Sequence, residues 1–304
     1  MDTTTTTTFA QQMASVTADV VPGRYTADVS AAWNCPIVPQ GGLMSAVAAQ
    51  AMGQEIATTG SRDGGTHADE MVLRSLTTVY AAAVPAGVVT IDVRTLRRGR
   101  SMAQLMATVR TPGASAGHTS LAVFGRRRAG FEFTDLAMPV VAPPEECPSF
   151  RDPLPEGVEP DRAPFAFWNL VEGRPAMGHA PWEDYEPTSS DSALWYRMDP
   201  QPLRADGTLD PLALVVYGDT MPGAVGERLG PNQPDWAPPS CDLTVHLLGQ
   251  PRSEWILGHS RARRAVDGYA SLEMALWDPA VGLVAHSSQI MYFVFPNGDG
   301  PPPS

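Results

Sequence analysis

The chain has few cysteines and no obvious metal-binding pattern. Cys35, Cys147 and Cys241 are the three cysteines among 304 residues, and no two of them have Cys-x-x-Cys spacing. An odd number without this spacing argues against a disulfide framework and against a zinc site, and it favours a reducing cytoplasm. No cluster of His or acidic residues has ligand spacing either, so we expect no metal ion.

Charge is also scarce. Only 18% of the residues are charged, and the formal net charge is -12. An acidic protein repels phosphate backbones, so we do not expect nucleic acid as a partner. Two basic clusters, Arg126 to Arg128 and Arg261 to Arg264, could contact a phosphorylated small molecule, although solvated strand ends are the simpler interpretation.

Long hydrophobic runs and targeting signals are missing as well. No window reaches about 18 consecutive apolar residues, which excludes a membrane-spanning helix. The N-terminus has neither the basic nor the apolar region of a secretion signal. Residues 1 to about 20 predict a frayed lead-in, and residues 297–304 predict a disordered tail. These features are typical of a soluble protein.

The sequence does contain an internal repeat. The segment from Gly117 to Phe124 resembles the segment from Ala285 to Tyr292, with the histidines 168 positions apart. Upstream, Ser75 to Tyr80 resembles Cys241 to His246 at an offset of 166. Self-similarity at a long period indicates two copies of one structural unit.

Composition divides the chain at the same place. Residues 131–164 are rich in proline and poor in aliphatic residues, which predicts an extended linker. We therefore expect an N-terminal unit over 1–130 and a C-terminal unit over 165–296, each large enough for its own core.

Each unit is predicted to contain one helix and a run of antiparallel strands. Apolar residues at helical spacing predict a helix over 43–56. An acidic cap at Asp210, followed by Pro211 in the first turn, predicts a second helix over 210–228. Alternating apolar residues predict the strands. They are 23–33, 72–84, 87–96, 101–111 and 118–126 in the first unit, and 192–198, 240–249, 254–265, 268–278 and 283–295 in the second. This order describes a sheet curled around a helix.

Three polar residues occur only in the second unit. Asp219 follows an apolar run in the predicted helix. Ser240 opens a strand where the offset of 166 gives Arg74, and Gln289 stands where the aligned first unit has Leu121. If a duplicated unit has specialised, such differences mark the functional site.

Each of these residues also has a structural interpretation. An Asp in a helix is usually solvated, and a Ser at a strand start usually binds nearby backbone. A buried Gln without partners costs about 1–3 kcal/mol, so Gln289 must be paired or must serve a ligand. His118 and His286 occur in both copies, and we therefore expect them to be structural.

Four segments resemble acyl-CoA thioesterase II (TesB-like) proteins, and the likeness covers most of residues 25–295. They are Trp33 to Met52 with its Pro39-Gln40-Gly41-Gly42, the turn Thr95 to Ser101, the strand Ser240 to His246 and the strand His286 to Tyr292. The resemblance implies an α+β double hotdog fold. Such a fold has two tandem units, each a long helix wrapped by a curved antiparallel sheet, joined through one continuous sheet.

The resemblance also implies a site and an activity. Asp219, Ser240 and Gln289 match the carboxylate, hydroxyl and glutamine that hold the attacking water in that family. Better-known members have threonine at the hydroxyl position, and serine lacks the methyl group that restricts the rotamer. The implied reaction is hydrolysis of an acyl-CoA or acyl-carrier thioester without a metal or organic cofactor. A cytoplasmic homo-oligomer, dimer or tetramer, is expected, with a role in fatty acid metabolism.

Other functions fit the sequence less well. No Gly-x-Ser-x-Gly elbow supports a serine nucleophile. Hydratases of the same fold carry the pattern Asp, any residue, Asn, Pro, any residue, His, but the segment Asp219 to Ala224 lacks the asparagine and the histidine. The alternative that stays open is a double hotdog protein that binds an acyl or polyketide-like substrate without efficient hydrolysis.

Overall fold

The computed structural model describes residues 7–62, 71–159, 164–298 and 300. The helices are α1 (Phe9–Ala14), α2 (Gly41–Arg62), α3 (Leu212–Tyr217) and α4 (Gly223–Leu229). The strands are β1 (Thr17–Ala18), β2 (Arg24–Val29), β3 (Val72–Tyr80), β4 (Gly87–Arg98), β5 (Met102–Arg110), β6 (His118–Gly125), β7 (Val171–Met177), β8 (Ser192–Met198), β9 (Asp242–Leu247), β10 (Ile256–Val266), β11 (Tyr269–Asp278) and β12 (Gly282–Tyr292). Among these described helices, none has both the length and the apolar character needed to cross a membrane.

All twelve strands belong to one antiparallel sheet. Its order is β1-β2-β4-β5-β6-β3-β9-β12-β11-β10-β8-β7, so the first unit forms one half and the second unit the other. The helix α2 packs along the inner face of the first half, and α3 packs against α2. Small and apolar residues such as Ala46, Ala48 and Met52 are fully buried in α2, which lets the helix lie close to the sheet. This is the architecture expected of a double hotdog.

The two halves meet where β3 pairs with β9. Thr77 lies opposite Thr244, and their hydroxyl groups are 3.0 Å apart. On either side of this pair, Leu76 faces Val245 and Thr78 faces Leu243. Residues 167 positions apart therefore exchange places across the seam, as they do across a twofold axis. The duplicated units are related by a pseudo-twofold axis at Thr77 and Thr244.

The strand pairs correct the predicted register of the repeat. Thr78 pairs with Ser120, and Val245 pairs with Ser287, so both strands repeat at an offset of 167 rather than 166 and 168. A shift of one residue turns a strand side chain to the opposite face. Leu121 is 48% exposed on the outer face, whereas Gln289 is buried on the inner face. The counterpart of Gln289 is thus the residue after Leu121, the buried Ala122.

The same correction applies to Ser240 and to the two histidines. Ser240 forms a bridge with Met291, as Leu73 does with Phe124, so the counterpart of Ser240 is the buried Leu73 and not Arg74. His118 is buried, whereas His286 is partly exposed one register position away. The two histidines are therefore not equivalent positions of the repeat, contrary to the prediction.

The second helix is not continuous as predicted over 210–228. Its first part begins at Leu212, whose N–H donates to Asp210 Oδ1 at 3.0 Å, although Pro211 rather than Asp210 is the N-cap residue. It then breaks after Tyr217, because Gly218 and Pro222 interrupt the helical pattern. Asp219 consequently lies in a turn between α3 and α4 rather than inside a helix.

The N-terminal lead-in is more ordered than predicted. Helix α1 begins with a capping box formed by Thr8 and Gln11, and it buries Phe9 against Trp33 with ring centroids 6.2 Å apart. The threonine-rich segment before Phe9 has no helical pattern, so the sequence did not predict this helix. Residues 1–6 of the lead-in and residues 299 and 301–304 of the predicted tail lie outside the described residues.

The proline-rich segment packs against the second unit. Residues 131–159 contain one 3-10 turn, Pro144–Glu146, and no strand. Trp195 Nε1 donates to Ala142 O at 2.9 Å, and Cys147 joins Trp195 and two further tryptophans in a small core on the outer face of the sheet. This segment therefore covers the sheet in addition to connecting the units.

The fit between Gly258 and Tyr196 can be tested through stability. A Cβ atom at Gly258 would lie 2.5 Å from the fully buried Tyr196 ring, which stacks on Tyr217 at 5.2 Å. We expect Gly258→Ala to lower the free energy of unfolding by about 1–3 kcal/mol. Gly226 in α4 has no atom near its Cβ position, so Gly226→Ala should instead raise it by about 1 kcal/mol. Urea denaturation measures both, and equal effects would contradict the packing described.

Candidate active site

The N-terminus of α2 in the first unit contacts the end of α3 in the second. Gly42 N–H donates to Asp219 Oδ2 at 2.8 Å, and Gln40 Nε2 donates to Val216 O at 2.8 Å. A Cβ atom at Gly42 would lie 2.6 Å from Val215 O, so a residue with a side chain does not fit this approach. The Pro39-Gln40-Gly41-Gly42 motif therefore joins the two units at Asp219.

The turn that carries Asp219 is anchored on the sheet. Thr220 Oγ1 lies 2.6 Å from the Tyr196 hydroxyl of β8, and Ser287 Oγ of β12 donates to Gly218 O at 3.1 Å. The hydroxyl of Tyr217 accepts from Met198 N–H at 3.0 Å. These contacts on each side of Asp219 fix the carboxylate relative to both β8 and β12.

Asp219 is buried, and its pKa is higher than that of an ordinary aspartate. Its side chain accepts the Gly42 bond at Oδ2, and Ser240 Oγ donates to Oδ1 at 3.5 Å. Burial raises the pKa of Asp219 to about 7, although the bonds from Gly42 and Ser240 act in the opposite direction. A carboxylate that titrates near neutral pH is suited to accept a proton in a reaction.

Gln289 lies on the inner face of β12 beside the same turn. Two residues before it, Ser287 binds Gly218, and two residues after it, Met291 pairs with Ser240. Its side chain is only 3% exposed, and neither its amide oxygen nor its amide nitrogen has a hydrogen-bond partner among the described residues. An amide left unpaired costs about 1–3 kcal/mol, so a small polar molecule or a ligand is the natural partner.

The structure thus brings Asp219 and Ser240 into contact and places Gln289 on the strand that borders their turn, and it adds other residues that sequence reasoning missed. A Cβ atom at Gly41 would lie 2.9 Å from Tyr80 Oη and 3.0 Å from Asp219 Oδ2, so both oxygens border one small volume. Burial, together with the negative charge of Asp219, raises the pKa of Tyr80 well above its usual value, which keeps the hydroxyl protonated. Ser45 Oγ lies 2.9 Å from this hydroxyl. Tyr80 is part of a β-strand pattern, and nothing in the sequence distinguished it.

The charge of Asp219 also affects the pKa of Cys35. Burial and the Asp219 carboxylate raise the pKa of Cys35 to about 12. A thiol that stays protonated is a poor nucleophile, so the site favours activation of water over a cysteine mechanism. Across 7–62, 71–159, 164–298 and 300, no three His, Cys, Asp or Glu side chains are placed to hold a metal ion.

Two protein-family models match the chain and cover both units. The model of the acyl-CoA thioesterase N-terminal domain matches residues 29–125, and that of the C-terminal domain matches residues 144–293. The chain belongs to the acyl-CoA thioesterase family. The predicted family is confirmed, and the protein is a thioester hydrolase.

Solved structures confirm the double hotdog fold of this thioesterase. A hot dog fold protein from Alicyclobacillus acidocaldarius is 24% identical, with a TM-score of 0.75 and coverage of 94% of this chain and 98% of that one. An acyl-CoA thioesterase II from Mycobacterium marinum is 16% identical, with a TM-score of 0.70 and coverage of 95% and 100%. A putative thioesterase II from Thermobifida fusca is 20% identical, with a TM-score of 0.71 and coverage of 95% and 98%. No curated protein sequence is significantly similar to the chain.

The burial of Asp219 has a consequence for the stability of the thioesterase. Because the pKa of Asp219 is raised in the folded state, its ionisation opposes folding, and this penalty grows as pH rises from about 4 to about 7. Asp219→Asn cannot ionise. We expect the variant to match the wild type in stability below about pH 4 and to exceed it increasingly as pH rises to 7 and above, by at most about 4 kcal/mol. Denaturant unfolding across this pH range measures the difference, and a pH-independent difference would contradict the burial of a titrating carboxylate.

Proposed function

We propose that this thioesterase hydrolyses acyl-CoA thioesters with a water molecule activated by Asp219 and oriented by Ser240 and Gln289. The observation that carries the proposal is the buried, unpartnered amide of Gln289 beside a carboxylate whose pKa is about 7. A water molecule between them would satisfy the amide and present its proton to the base.

The three residues have distinct roles in the proposed mechanism. Ionised Asp219 accepts a proton from the water, while its Oδ2 stays bound to Gly42 N–H. Ser240 donates to Oδ1 and so fixes the plane of the carboxylate. The Gln289 amide can accept from the water through oxygen or donate to it through nitrogen, which sets the direction of attack.

The start of α2 offers a donor for the developing oxyanion. Leu43 N–H is bound by Gln40 Oε1 at 3.0 Å and Gly42 N–H by Asp219, whereas Gly41 N–H donates to no described residue. A free backbone N–H in the first turn of a 22-residue helix is favourably placed to bind a negative oxygen. We assign the thioester carbonyl oxygen to this position.

The proposed reaction conserves atoms and electrons without a cofactor. The water oxygen forms a bond to the carbonyl carbon while its proton passes to Asp219. The tetrahedral intermediate collapses, the carbon–sulfur bond breaks, and the thiolate leaves with the bonding electrons. Protonated Asp219 returns the proton to the thiolate, which regenerates the base.

The role of Asp219 as general base predicts a large and pH-dependent loss of activity. Asp219→Asn should reduce kcat/KM by about a hundredfold or more, because general-base contributions have this size. In the wild type, kcat/KM should rise with pH to a plateau with a midpoint near 7, since only the ionised carboxylate accepts a proton. Release of free thiol from a panel of medium- and long-chain acyl-CoAs measures both. Unchanged activity would remove Asp219 from the mechanism.

Gln289→Leu separates a functional role from a structural one. The substitution removes the unpaired amide and keeps a side chain of similar size, so we expect turnover to be lost while thermal stability is retained or raised. Ser288→Ala is the control, because this neighbour is exposed on the opposite face of β12. A large loss of stability in Gln289→Leu would show that the amide serves the fold.

A panel of substrates tests the proposed reaction as a whole. Thiol release from acyl-CoAs of several chain lengths is expected, with little dependence on added chelator. Measurable acyl-CoA binding with no turnover at any chain length would support a non-hydrolytic binding protein instead.

A further inference from the structure

A concave surface lies on the second unit, at the C-terminal end of α4. It has a volume of about 730 Å³ and lies between α4, the end of β10 and the segment that precedes β8. We call it the α4 groove. No catalytic residue named above lines it.

The charge of the α4 groove is opposite to that of the protein. Arg228, Arg263 and Arg264 line it, and none of the described residues in its lining is acidic, although the chain carries a net charge of -12. Arg263 is paired with Glu273 on β11. Arg228 and Arg264 form no ion pair with a described carboxylate, so their guanidinium groups are available to an anion.

The equivalent place in the first unit differs. There, the residues that precede and open β2 form a much smaller cavity with the later turns of α2, about 100 Å³ in volume. β2 pairs with β4 as β8 pairs with β10, so the two places correspond. The smaller cavity is lined by two carboxylates, Asp19 and Glu55, and its Arg24 is paired with Asp92. Size and positive charge are therefore specific to the unit that carries Asp219.

The groove also has an apolar side suited to a flat ring. Val225 and Leu229 of α4 line it together with Phe293, whose ring centroid lies 5.4 Å from that of Trp236. Arginines beside an aromatic surface match a nucleotide, which combines phosphates with a base.

The groove is connected to the active site by continuous elements. Helix α4 begins directly after the turn that holds Asp219 and ends in the groove at Leu229. Phe293 follows Gln289 by four residues, a distance of roughly 13 Å along an extended chain. An extended linker between a thioester and a phosphorylated nucleotide would span such a separation.

From these observations we infer that the α4 groove binds the phosphorylated adenosine end of coenzyme A, with Arg228 and Arg264 as the phosphate-binding residues. The inference rests on the proposed function, since it places the acyl thioester at Asp219 and the nucleotide at the groove. It implies that the enzyme distinguishes acyl-CoA from acyl groups on a carrier protein, because the carrier's phosphopantetheine has no nucleotide.

The test compares substrates that differ only in the nucleotide. The double variant Arg228→Gln, Arg264→Gln should raise KM for an acyl-CoA roughly tenfold or more, since each lost contact is a charge-assisted bond. The effect should be confined to acyl-CoA and absent for the same acyl group on pantetheine. Arg127→Gln is the matched control, an exposed arginine of the first unit outside the groove. It should leave both KM values within twofold of the wild type.

A binding measurement keeps this inference separate from the proposed reaction. Adenosine 3′,5′-bisphosphate should bind the wild type and the Arg127→Gln control in titration calorimetry and should bind the double variant at least tenfold more weakly. If acyl-CoA is not hydrolysed but this loss of binding is seen, the proposed function fails and the groove assignment holds. If acyl-CoA is hydrolysed and the double variant changes neither bisphosphate binding nor the KM ratio, the groove assignment is overturned.

Discussion

The hydrogen bond from Gly42 N–H to Asp219 Oδ2 is the contact on which the rest of the site depends. It joins the start of a helix in one unit to a carboxylate in the other, across a distance of 2.8 Å. Burial disfavours the ionised carboxylate, and the hydrogen bonds from Gly42 and Ser240 favour it. The two effects leave the pKa of Asp219 near 7, where a small change of environment alters its charge.

The sheet explains why such a contact forms at all. Equivalent residues Thr77 and Thr244 face each other at the seam, so the two units pack as a twofold dimer would. The symmetry brings α2 against α3 beneath one continuous sheet. Sequence divergence then breaks the symmetry. Buried Leu73 and Ala122 in the first unit correspond to Ser240 and Gln289 in the second, which gives the second unit hydroxyl and amide groups that the first does not have.

Most of the fold followed from the sequence, because alternation and turn residues specify strands locally. Ten of the twelve strands, all except β1 and β7, were predicted, as were the position of α2 and the family. The register of the repeat was predicted wrongly. Comparison of the segments by residue type gave offsets of 166 and 168, whereas the strand pairs give 167. An error of one residue exchanges the two faces of a strand, and only the strand pairing shows which face a residue occupies. The three site residues were identified through a family resemblance, whereas Tyr80 and Gly41 depend on contacts between units that local patterns do not encode.

The break between α3 and α4 determines the position of two features of the second unit, Asp219 and the α4 groove. In the first unit α2 runs without interruption for 22 residues. In the second, Gly218 and Pro222 stop the helix, which frees Asp219 from the regular backbone and turns its carboxylate towards Gly42. The same break separates off α4, a helix of seven residues whose Val225, Arg228 and Leu229 line the α4 groove. One local loss of helical structure therefore sets the position of the buried Asp219 carboxylate and the start of the helix that lines the α4 groove.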